Sequence, residues 1–75
     1  MFIVPFLLRV KEQQADISIK GRVREVLKDL EVTDVKIIRK DYIYSLLQVK
    51  LNNLEAVQSI YDKLERAQDE FEILL

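Results

Sequence analysis

Through Val32–Leu51, VTDVKIIRKDYIYSLLQVKL, apolar and polar residues follow the two-residue period of half-buried strands, broken by the charged triplet Arg39-Lys40-Asp41. The stretch predicts strands at about Asp34–Arg39 and Tyr42–Leu51, folded on that triplet. No Asn-Gly or Asp-Gly pair marks a two-residue turn, so a longer or irregular loop is expected. On either side the period lengthens to that of a helix. Ile19, Val23, Val26, Leu27 and Leu30 form one stripe, with Asp16 or Ser18 as the expected cap. Leu54, Val57, Tyr61 and Leu64 form the other, with Ile60 flanking and Ala67 extending it. This second helix is expected to be capped by Asn52 or Asn53 and to end near Ala67–Asp69.

Outside the helices the alternation returns. A first strand is expected to begin near Pro5, because proline has no N–H to give a ladder and is better tolerated at a strand's start than within it. Phe6, Leu8 and Val10 then share one face, and Leu7, Arg9 and Lys11 the other. Phe2, Ile3 and Val4 become an apolar lead-in that caps the edge of the core, adds a stretch of strand or forms an arm. A closing strand over Glu70–Leu75 sets Phe71, Ile73 and Leu75 against Glu70, Glu72 and Leu74.

The order β-α-β-β-α-β over a single domain, 1–75, predicts an α+β, ferredoxin-like βαββαβ fold: a four-stranded antiparallel sheet with two helices on one face. The expected helix-facing set is Phe6, Leu8, Val10, Val35, Ile37, Ile43, Leu47, Val49, Phe71 and Ile73. The opposite face would carry Leu7, Arg9, Lys36, Ile38, Tyr42, Tyr44, Leu46, Gln48, Glu70, Glu72 and Leu74. That face is more apolar than a solvated one needs to be, which marks it as an interaction surface.

Composition narrows the chemistry. The 75 residues contain neither cysteine nor histidine, which removes disulfides, thiolate ligands, the usual general base near neutral pH and the usual partner of an activated serine. Ser18, Ser45 and Ser59 therefore have nothing to activate them, and the acidic groups around Asp62, Glu65, Asp69, Glu70 and Glu72 read as solvated faces. No catalytic residue, metal site or cofactor is expected. Twelve Lys plus Arg against thirteen Asp plus Glu leave a net charge of -1, with no charged block to choose a partner. The apolar start MFIVPFLLRV lacks the basic flank and cleavage site of a signal peptide and is too short to span a bilayer, so a cytoplasmic protein outside the membrane is expected. A domain this small has a thin core, and self-association is one common remedy.

The sheet face thus suggests a non-enzymatic regulatory or structural module that forms a homodimer or binds a protein partner, with Ile38, Tyr42, Tyr44, Leu46, Phe2 and Ile3 as the contact residues. Single-stranded RNA is an alternative occupant. RNA-recognition domains share this topology and stack bases on sheet aromatics, and Lys40, Tyr42 and Tyr44 have a matching basic-aromatic-aromatic spacing. Small-ligand sensing at a dimer interface is a further alternative.

Phe2, Pro5, Phe6 and Val10, with Tyr42 or Tyr44 and the later Glu55, Val57, Tyr61, Leu64 and final Leu75, resemble the YbeD-like family of small bacterial proteins. That resemblance implies an ACT-like βαββαβ fold and a regulatory role with no catalytic residues. Asp16, Ile19, Gly21, Val23, Leu30, Val32, Asp34 and Val35 resemble the corresponding run of the PurS-like small subunit of the purine-pathway amidotransferase. Both resemblances imply a non-enzymatic partner protein that self-associates through its sheet.

Overall fold

The structure, a computed structural model, describes residues 2–67 and 69–74. The chain runs β1 (Phe2–Val10), α1 (Asp16–Val26), β2 (Val32–Asp41), β3 (Tyr44–Leu51), α2 (Ala56–Arg66) and β4 (Phe71–Ile73). The strands form one antiparallel sheet in the order β2-β3-β1-β4, the ferredoxin-like arrangement.

Alternation puts Phe6, Leu8 and Val10 of β1 and Leu47, Val49 and Leu51 of β3 on one face, all of them buried. Val35 and Phe71 join them from the outer strands. Ile19 and Val23 of α1, and Ile60 and Leu64 of α2, close the same cluster, so both helices cover that single face. Burying each such side chain contributes roughly 1.5–3 kcal/mol. The ring of Tyr61 meets that of Phe6 edge to face, with centroids 5.1 Å apart.

Several boundaries differ from expectation. β1 begins at Phe2, and Pro5 lies inside it. The backbone explains the tolerance. Val10 donates its N–H to the carbonyl of Ile43 in the β3 direction, whereas the Leu7 carbonyl accepts the N–H of Leu74 on the β4 side. Odd-numbered residues of β1 therefore turn their backbone groups away from β3. β4 pairs only with Leu8–Val10, so the nitrogen of Pro5 faces a side where no ladder exists.

α1 starts at Asp16, preceded by Ala15 with no side-chain capping bond, so neither Asp16 nor Ser18 caps it. Instead Asp16 places its carboxylate in the first turn, the favourable end of the helix dipole. α1 stops at Val26, and Leu27 reaches the core from the turn that follows. Ahead of α2, the Asn53 side chain accepts the N–H of Glu55 at 3.0 Å in a local turn, and Leu54 lies outside the helix and exposed. Ile60, expected at the flank of the α2 stripe, is fully buried at its centre. β4 is shorter than Glu70–Leu75, and the expected facing of Leu75 falls outside the described residues.

The hairpin differs most. Asp41 pairs with Tyr44, so the turn is the two residues Tyr42-Ile43 and not the charged triplet. Tyr42 has φ 55, a left-handed conformation that glycine usually supplies in tight hairpins. Ile43 packs against the core, which holds the turn in place despite its unsuitable sequence.

Candidate functional site

The sheet face away from the helices is ordered by its register. Arg9 stands opposite Tyr44 on one side and Glu72 on the other, and Tyr44 in turn opposes Asp41. Arg9 and Glu72 form an ion pair across this row. The next row is apolar. Leu7 faces Leu46 across β1 and β3, Leu74 is tied to Leu7 through its backbone N–H, and Ile38 lies beyond Leu46 on β2. Ile38 and Leu74 are 44% and 39% exposed, and Tyr44 borders the row at 43%. Farther along lie Pro5, Gln48 and Lys36, then Ile3 and Lys50.

Irregularities in β2 decide which residues join this face. The β2–β3 register slips between Ile37 and Arg39, so that Ile38 and Arg39 together stand opposite Leu46. Alternation resumes one residue out of step. Lys40 consequently pairs with the buried Ser45 and belongs to the helix side. There its ammonium donates to the carbonyl of Gln14 and lies 3.2 Å from the Asp16 carboxylate, tying the end of β2 to the start of α1.

The expected site residues are thus divided. Ile38, Tyr44, Leu46 and Ile3 lie on the outer face. Tyr42 does not: it occupies the turn, 67% exposed. Phe2 pairs with Leu51 and takes the helix side, because it and Ile3 are consecutive residues of a strand and not parts of an arm. The proposed RNA-binding trio of Lys40, Tyr42 and Tyr44 is separated in the same way, with one residue on each side of the sheet and one at its end. Arg39 and Asp41, expected in a loop, join Leu7, Tyr44 and Leu46 around a shallow depression of about 180 Å³. Leu7 was visible in the alternation of the first strand; the bulge that recruits Arg39 has no signature in the sequence.

Among the described residues no group of three or more His, Cys, Asp or Glu is placed to hold a metal ion, and no helix is long and apolar enough to cross a membrane. Comparison with protein-family models, curated proteins and solved structures finds no match.

Proposed function

We propose that this chain is a non-enzymatic regulatory or structural interaction module that self-associates through the outer face of its sheet. One observation carries the reading: the apolar row Leu74-Leu7-Leu46-Ile38 runs from the residue just past β4 across β1 and β3 to β2, on the face the helices leave open. Such a row in water lacks the polar alternation of a solvated sheet face, and covering it recovers roughly 25 cal/mol for each Å² of apolar surface buried. Tyr44, with an apolar ring and a polar tip, suits the border of an interface.

A second copy of the chain meets the charges of both signs on this face. Asp41 lies beside Arg39 at the turn end, and Lys36 and Lys50 lie toward the other end, where Asp34 opposite Lys50 is paired with Arg24. Two copies packed face to face about a two-fold axis perpendicular to the strands stack their apolar rows and set Asp41 of each toward the lysines of the other. The family resemblances carried by the sequence point to the same kind of role.

Sedimentation equilibrium over a range of protein concentrations tests this. The expected result is a dimer that dissociates on dilution and is converted to a folded monomer by Leu46→Glu. A strict monomer at every accessible concentration, or a dimer indifferent to both Leu46→Glu and Tyr44→Glu, defeats the reading.

A further inference from the structure

The order β2-β3-β1-β4 interleaves the two halves of the chain. β1 and β2, from the first half, do not pair with each other, and neither do β3 and β4, from the second. Among the described residues every ladder, β2 with β3, β3 with β1 and β1 with β4, joins one half to the other. The core is shared in the same way, with Ile19 and Val23 of α1 and Ile60 and Leu64 of α2 in one cluster. Neither half can close this sheet alone, and the link between them is the Tyr42-Ile43 turn.

Each side of that link is fixed to its own half. Near one end of β2, Arg24 of α1 donates to Asp34 at 2.6 Å; near the other, Lys40 donates to the Gln14 carbonyl and lies 3.2 Å from Asp16. Ile43 leads into β3 and packs on the core. The misfit is left to Tyr42. It is 67% exposed, so straightening it costs little packing, and its φ of 55 is imposed by the tight turn. An extended backbone would remove that strain. From Val32 to Leu51 the sequence holds no glycine, proline or asparagine to insist on a reversal.

We propose that two copies of this chain exchange halves at Tyr42, so that β1-α1-β2 of one completes its sheet and core with β3-α2-β4 of the other. Each ladder of the closed fold then forms between chains, and both strained turns are gone. A short hinge under strain invites such an exchange. Opening requires the ladders between the halves to part, so the exchanged dimer forms during folding at high protein concentration, and a chain folded in dilute solution stays closed. The exchange makes no use of the outer sheet face and is independent of the face-to-face dimer.

The test uses the full chain with Lys36→Cys and Gln48→Cys. These positions are direct partners across β2 and β3, within reach of a disulfide, and the chain has no other cysteine. The protein is refolded from denaturant over a range of concentrations, oxidised and run on a denaturing, non-reducing gel. A closed chain forms the bond within itself, even inside a face-to-face dimer, whereas an exchanged pair is covalently linked between chains. Linked dimers at high concentration and single chains at low concentration are expected. Tyr42→Gly, which takes the left-handed turn freely, is expected to raise the concentration for half conversion at least about tenfold. Tyr42→Pro, which cannot adopt a positive φ, is expected to lower it by a comparable factor. Disulfides confined to single chains at every concentration overturn the proposal. So does a linked dimer whose yield Tyr42→Gly leaves unchanged, which would mark a chance crosslink between closed chains. The parent and the glycine variant decide the question even where the proline variant fails to fold.

Discussion

Arg22 of α1 grips Glu70, the residue before β4, with two parallel hydrogen bonds: Nε donates to Oε2 at 2.6 Å and Nη2 to Oε1 at 2.7 Å. Glu25, one turn along the helix, also lies 3.2 Å from Arg22. The planar fork of a guanidinium matches a carboxylate in this way, where a lysine would supply only a point charge. The pair fastens α1 to the entry of the short edge strand.

These hydrogen bonds, reinforced by the charge of Arg22, hold the Glu70 carboxyl below its ordinary value, against a smaller opposing effect of burial. A carboxyl depressed in the folded state stabilises the fold fully above its unfolded pKa, and that contribution is lost as the pH falls through the folded value. Both side chains are more than a third exposed, so solvent screens the effect. Thermal melts from neutral to acid pH are expected to show Arg22→Gln less stable than the parent at neutral pH and converging on it below the carboxylate range. An offset that stays constant with pH would assign the loss to packing.

Tyr42 bears the strain of the hairpin. A left-handed residue other than glycine costs about 1–2 kcal/mol, and a β-branched one is disfavoured further. Tyr42→Val is expected to destabilise the chain by about 1 kcal/mol. Tyr42→Gly is expected to be neutral or stabilising, the relief of strain offset by added freedom of the unfolded chain. Urea titration of both variants distinguishes this from a side chain that contributes packing, for which glycine would be the worse of the two.

Ser45 is fully buried on the helix side, and its hydroxyl has no hydrogen-bond partner among the described residues. An unsatisfied buried hydroxyl costs roughly 1–3 kcal/mol. Ser45→Ala removes that cost while leaving little space behind, and a rise in stability of about 1 kcal/mol is expected in chemical denaturation. A fall would mean that the hydroxyl is satisfied in solution.

Phe6 anchors the core, fully buried and packed on Tyr61. Truncating such a ring costs about 3–5 kcal/mol, a large part of the total stability expected of so small a domain. Phe6→Ala is expected to be largely unfolded by circular dichroism at room temperature, whereas Phe6→Leu keeps a cooperative transition with a lowered midpoint.

Much of this architecture is legible in the sequence. The element types, their order and the helix-facing positions Phe6, Leu8, Val10, Val35, Leu47, Val49 and Phe71 follow from local periodicity, because a strand or helix must turn its apolar side toward a common core. The apolar character of the opposite face was legible for the same reason in Leu7, Leu46 and Leu74. What local pattern could not reach was phase. A tight turn on Tyr42-Ile43 has no sequence signal, and it holds because Ile43 is drawn into the core. One extra residue at Ile38 then reversed the facing of Lys40, carrying it from the expected binding surface to Gln14 and Asp16. Pro5 was admitted to the middle of a strand only because β4 stops short of it. Periodicity along the chain thus determined which elements form and which sides they bury. Hydrogen-bond register and the extent of neighbouring strands, which depend on residues far apart in sequence, decided where one face ends, which cation crosses it and which edge stays open.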